Sequence, residues 1–183
     1  MVLHVCGFCY IIPLVIFVEN CLPKRKHPRL QNYDYSTTGA YFVTICTKNR
    51  RCLLSHIVGH GLAPAEIQYT IYGQIAEQQL FLLEKRYASM KIDQYVIMPN
   101  HIHAILLLED TVGVTARPTI TDIICAYRSL TTRECNKVRP LDQLFQNSFF
   151  EHIIRNLDDY QNIVKYIYEN PTQWYYDKLY VEE

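Results

Sequence analysis

The order of elements along the chain predicts an α+β sandwich, an antiparallel sheet with helices packed on its face. Three observations carry this. Residues 95–108 read Tyr-Val-Ile-Met-Pro-Asn-His-Ile-His-Ala-Ile-Leu-Leu-Leu, two apolar strands meeting at Pro99-Asn100. Ala40 to Thr47 is a β-branched and aromatic run, hence another strand. Between and after these lie segments with helical spacing of apolar residues. The resulting order is strand, helix, strand-strand, helix, strand, helix.

The elements follow in turn. Asn32 to Ser36 is a polar lead-in, and Lys48-Asn49-Arg50-Arg51 ends the first strand with charge. Ser55 to Pro64 reads as a loop carrying His56, Gly59, His60 and Gly61. Ile67 to Tyr87 places Ile71, Ile75, Leu80, Leu82 and Leu83 among Glu and Gln, the pattern of an amphipathic helix. Lys91 to Met98 and His101 to Leu108 form the strand pair, and Glu109 to Pro118 a loop. Thr119 to Cys135 is a second helix, capped by Thr119 or Thr121. Phe149 to Ile154 is a short strand. Asn156 or Asp158 caps a last helix that Pro171 ends.

Length and composition bound the possibilities. The 183 residues suit one domain, with 49% hydrophobic and 20% charged residues. Net charge is zero, but its distribution is uneven. Lys24, Arg25, Lys26, Arg29, Lys48, Arg50 and Arg51 face only Asp34 between Pro23 and Arg51. The chain after Phe150 is acidic. A basic front is compatible with a polyanion on one face or with a solvated loop. Seven cysteines, an odd number, read as reduced thiols. Cys6 and Cys9 make a lone CxxC without a second pair. Residues 1–22 are apolar, yet short for a membrane span and broken by Pro13. They are set apart as an extension from a non-native start, and the domain is taken as residues 23–183.

Chemistry concentrates in two places. His101 and His103 alternate with Ile102 and Ala104, so both imidazoles leave the same strand face. Such a pair can hold one divalent metal or stand as solvated histidines. On the last helix, Tyr166 and Asn170 stack four residues apart, with Asn162 a turn earlier, while Ile163, Val164 and Ile167 form the buried stripe. Tyr166 reads as a surface aromatic and Asn170 as a C-cap, or both as partners of the histidines.

The Met98-Pro99-Asn100-His101-Ile102-His103 stretch resembles the HUH motif of single-tyrosine transposases, with Ile102 as the middle residue. The lead-in at Asn32 to Arg50 and the tail from Phe150 through Tyr166 to Pro171 are similar to the ends of that domain. Phe145-Gln146 matches an aromatic-Gln pair of relatives. The closest branch is the REP-associated tyrosine transposases, and the resemblance spans Arg29 to Trp174.

The resemblance implies a ferredoxin-like α+β domain that nicks and rejoins single-stranded DNA at hairpin-bearing repeats. It implies His101 and His103 as metal ligands, Asn170 as the third ligand, and Tyr166 as the nucleophile of a 5′-phosphotyrosine intermediate. Tyr168 is the alternative nucleophile, and His152 is near the site. The ion would be Mg²⁺ or Mn²⁺. Lys48, Arg50, Arg51 and Arg128, with Arg133 and the basic start, would contact single-stranded or hairpin DNA. Tyr33, Tyr35 and Tyr41 read as core and surface aromatics rather than base-stacking platforms. The expected setting is the cytoplasm, at the nucleoid and off the membrane, as a monomer or homodimer. The alternatives are a domesticated hairpin-binding module without turnover, and a small metalloprotein unrelated to DNA.

Overall fold

The computed structural model describes residues 33–59, 65–110 and 118–182. The apolar start and the basic residues 24–29 lie outside the described residues, as do His60, Gly61 and most of the loop expected before Pro118. Four strands form one antiparallel sheet: β1 (Gly39–Cys46), β4 (Met90–Ile97), β5 (His101–Leu108) and β6 (Phe150–Ile154), in the order β4-β5-β1-β6. A separate hairpin pairs β2 (Ser55–Val58) with β3 (Glu66–Tyr69). The helices are α1 (Ile71–Arg86), α2 (Ile120–Val138) and α3 (Leu157–Glu169).

β5 lies between β4 and β1 and is buried on both faces, which accounts for its almost unbroken apolar sequence. Ile102, Ala104, Leu106 and Leu108 join the core beneath α1 and α2, with Tyr41, Val43 and Ile45 of β1. From the helices come Ala76, Leu80 and Leu83, then Ile120, Ile123, Ile124 and Tyr127. The Tyr127 hydroxyl donates to the Ala76 carbonyl at 3.0 Å and ties the two helices together. On the opposite face Ile105 and Leu107 meet α3 through Ile163, Val164 and Ile167, with Trp174 beside them. The helices therefore cover both faces of the sheet. Among the described α-helices, α3 is the one on the histidine side.

Two expected boundaries shift. The stretch expected as a loop from Ser55 contains β2, and the expected helix start at Ile67 is β3. α1 begins at Ile71 because the Thr70 hydroxyl accepts from Gly73 N, while Thr70 N donates to the Leu54 carbonyl. Ile67 and Tyr69 suit the strand as well as the helix, and cross-strand pairing settles the matter. α2 opens on Thr119 with a full capping box to Asp122, and α3 opens on Asn156. β4 carries an irregularity at Asp93, whose carboxylate accepts from the Tyr160 hydroxyl of α3 at 2.7 Å. Tyr41 is fully buried, and Tyr33 and Tyr35 pack against the same core. Among the described residues, Cys46, Cys125 and Cys135 are free thiols. No described helix is long and apolar enough to cross a membrane.

Gly73 sits where α1 presses against the preceding loop. A Cβ there would stand 2.0 Å from the Leu54 carbonyl oxygen, a contact with backbone that cannot yield cheaply. Gly73→Ala is expected to cost about 1–3 kcal/mol despite alanine's better helix propensity. A lower urea midpoint with an unchanged slope would show it.

Candidate metal and nucleophile site

The site begins at the turn joining β4 to β5. Met98 N donates to the His101 carbonyl at 2.9 Å, closing the turn and starting the strand at the first histidine. Cross-strand register sets Cys46 opposite His101 and Thr44 opposite His103. Thr44 Oγ1 lies 2.8 Å from His103 Nδ1, and Asn100 Oδ1 lies 2.8 Å from His101 Nδ1. Both imidazoles are buried, with ring centroids 4.5 Å apart.

α3 supplies the facing groups. Its apolar stripe fixes its rotation against the sheet, and the spacing of four then brings Tyr166 and Asn170 over the histidines. The Tyr166 hydroxyl is 3.2 Å from His103 Nε2. The two rings meet edge-on, and Phe42 packs against both. Asn170, the last-turn cap, is buried. The tyrosine helix and the histidine strand meet within one chain, so a second copy is not needed to bring them together.

Asp177 completes the group and was not singled out from the sequence. Its Oδ2 accepts from Asn170 Nδ2 at 2.8 Å and from the Tyr166 hydroxyl at 3.2 Å. Its Oδ1 accepts from Leu179 N at 2.6 Å. One ligand atom each from His101, His103 and Asp177 lie within 4.8 Å of one another, a set that could hold a metal ion. Two buried atoms here, His101 Nε2 and Asn170 Oδ1, have no hydrogen-bond partner. Leaving such acceptors dry costs about 1–3 kcal/mol each, and a cation would relieve it. Imidazole nitrogens with carboxylate and carboxamide oxygens suit a borderline or hard divalent ion.

Electrostatics follow from burial. His101 is pulled down to about 4 by desolvation, against the opposing influence of Asp177 and Asn170. Desolvation and the neighbouring His101 hold His103 well below the usual imidazole range. Both rings are therefore neutral at pH 7, the form that binds metal. Tyr166 is pushed up to about 12, first by burial and then by the Asp177 carboxylate. An unassisted phenol here stays protonated.

Other candidates fall elsewhere. Tyr168 is 84% exposed, whereas Tyr166 is 43% exposed. His152 bonds Asp159 at 2.8 Å. A cavity of about 700 Å³ opens beside Tyr166 and His103, and Arg50, Gln146, Phe150, Tyr176 and Lys178 line it. Arg50 thus reaches the cleft. Lys48 and Arg51 flank it in the same turn and are not among the lining residues. Arg128 donates to the Gln146 and Asn147 carbonyls, anchoring the segment that leads into β6. Arg133 pairs with Glu134 on the outside of α2.

Two buried histidines opposed by a helix tyrosine on an α+β antiparallel sheet are the arrangement that the resemblance to the single-tyrosine HUH class leads one to expect. A Haemophilus influenzae protein described as uncharacterized is 32% identical over 174 residues, covering 86% of this chain and 94% of that protein. The Escherichia coli REP-associated tyrosine transposase is 27% identical over 142 residues, 76% of this chain and 70% of that one. A solved structure of a REP-associated tyrosine transposase bound to a REP hairpin shares the fold, with a TM-score of 0.58 and 24% identity. It covers 82% of this chain and 77% of its own. No family model matches. The chain is thus similar to REP-associated tyrosine transposases in sequence and shares the fold of one of them.

The buried imidazoles make stability pH-dependent. Their folded-state values lie below the unfolded value of about 6.5. Between the two, the unfolded chain binds more protons, so stability falls as pH falls from about 6.5 toward 4. Urea unfolding at about pH 7 and about pH 4.5 is expected to show this loss. The double variant His101→Gln, His103→Gln is expected to show a smaller one.

Proposed function

We propose that this protein is a metal-dependent endonuclease and strand transferase for single-stranded DNA beside hairpin-bearing repeats. The observation that supports it best is the Tyr166 hydroxyl, 3.2 Å from His103 Nε2 and hydrogen-bonded to Asp177. A nucleophile, a proton acceptor and a ligand set meet at one edge of an open cleft.

In the reaction, the Tyr166 oxygen forms a bond to the scissile phosphorus. The bond from phosphorus to the 3′ oxygen breaks, and that oxygen leaves as a free 3′-OH after taking a proton. The 5′ phosphate stays on the tyrosine, which preserves the ester for rejoining to another strand. Asp177 Oδ2 already accepts the phenolic hydrogen bond, so the proton has a place to go. His101, His103 and Asp177, with Asn170 Oδ1, would hold the cation. Magnesium or manganese bound there supplies Lewis acidity, lowering the cost of ionising the phenol and polarising the phosphate.

The cleft suits an unpaired strand. Phe150 and Tyr176 are 74% and 86% exposed at its walls and offer faces on which bases stack. Arg50 and Lys178 reach it with positive charge suited to phosphates. With few cations and zero net charge, binding is expected to weaken with salt along a shallow slope.

Incubation with a hairpin oligonucleotide carrying a single-stranded flank, in Mn²⁺, is expected to give a covalent protein–DNA adduct on a denaturing gel. Tyr166→Phe abolishes it while hairpin binding remains, and Tyr168→Phe does not. Binding without any adduct in the wild type would instead identify a hairpin-binding module without turnover. Asp177→Asn is expected to weaken Mn²⁺ binding at least about tenfold by calorimetry. An unchanged affinity would remove Asp177 from the ligand set.

A further inference from the structure

Asn100, which precedes the first histidine, is 1% exposed, and its side chain makes three polar contacts. Nδ2 lies 2.7 Å from the Leu179 carbonyl oxygen and 3.3 Å from that of Arg50. Carbonyl oxygens only accept, so both contacts require N–H donors. They decide which way round the carboxamide lies, a choice otherwise ambiguous for asparagine. Oδ1 is then the atom 2.8 Å from His101 Nδ1. An amide oxygen also only accepts, so the proton must sit on Nδ1. A neutral imidazole carries one N–H, and its other nitrogen keeps a lone pair. That other nitrogen, Nε2, is the buried atom without a hydrogen-bond partner.

His103 is built differently. Its Nδ1 meets the Thr44 hydroxyl and its Nε2 meets the Tyr166 hydroxyl. The Tyr166 hydroxyl gives its one proton to Asp177, so it accepts from His103 Nε2–H, and Nδ1 then accepts from the Thr44 hydroxyl.

We propose that Asn100 is a positioning residue that locks His101 as the Nδ1–H tautomer, so that its Nε2 lone pair is permanently turned toward the cation site. The lock is set from outside the strand. The Arg50 carbonyl belongs to the turn after β1, and the Leu179 carbonyl to the tail that carries Asp177. Three separated parts of the chain thus agree on the protonation of one ring. The carboxamide plays the part that a carboxylate or backbone carbonyl plays behind many metal-binding histidines. The inference rests on the reading of the histidines as cation ligands.

The test is nitrogen NMR of the full chain with ¹⁵N-labelled histidine, free of metal and DNA, followed by Mn²⁺ titration. His101→Gln identifies the resonances. The wild type is expected to show His101 solely as Nδ1–H and His103, before Mn²⁺ is added, as Nε2–H. Asn100→Ala is expected to give both tautomers at His101 and to weaken Mn²⁺ binding by about 10–100-fold. His101 found as Nε2–H in the wild type overturns the proposal, and this needs no variant to fold. So does Asn100→Ala that loses affinity with the tautomer unchanged, the mark of a merely structural role. A wild type with the expected tautomer that binds Mn²⁺ yet forms no DNA adduct would sink the nuclease reading and leave this one standing.

Discussion

A central strand buried on both faces is the constraint from which this architecture follows. β5 donates and accepts on both edges, to β4 and β1, so it cannot slip without breaking two ladders. Its period of two then sorts residues without compromise. Ile102, Ala104, Leu106 and Leu108 fill the core under α1 and α2, while His101, His103, Ile105 and Leu107 face α3. A slip by one residue would bury both imidazoles among aliphatic side chains with no polar partner. The same register that builds the larger core thus aims the histidines.

The site departs from ordinary packing in a consistent way. Apolar contacts at Ile163, Val164 and Ile167 hold α3 down, and its last turn carries Tyr166 and Asn170 over the imidazoles. The tail beyond it returns so that Asp177 bridges the phenol and the carboxamide. Within that group two acceptors remain unpaired and two imidazoles are forced neutral. A folded core normally satisfies its buried polar atoms, and clustered exceptions mark where binding energy is to be recovered from a ligand. The phenol is also harder to ionise here than in water.

Much of this was legible in advance. Alternation around Ile102 placed the histidines on one face, and the spacing from Tyr166 to Asn170 placed those two together. Both inferences are local, since strand and helix periods are properties of the backbone. The β2–β3 hairpin was hidden because Ile67 and Tyr69 fit a helix as well as a strand, and only pairing across a turn distinguishes them. Arg128 was grouped with the nucleic-acid contacts on its charge and on the resemblance to the polar helix face of relatives, and its guanidinium also serves the Gln146 and Asn147 carbonyls. The count of positive charges says nothing about which are already engaged.

By itself the sequence determined the α+β class, the resemblance to single-tyrosine transposases, and which residues share a face: His101 with His103 on a strand, Tyr166 with Asn170 on the final helix. Those are matters of period and motif, carried by residues a few positions apart. Tertiary structure alone decided that α3 covers the sheet face opposite α1 and α2, and that Asp177 joins the group. It also decided that Asn100 is clamped between the Arg50 and Leu179 carbonyls. Asp177 lies eleven residues beyond Tyr166 across a break in the helix, where no backbone period relates them. Only the path of the folded chain brings its carboxylate back to the phenol.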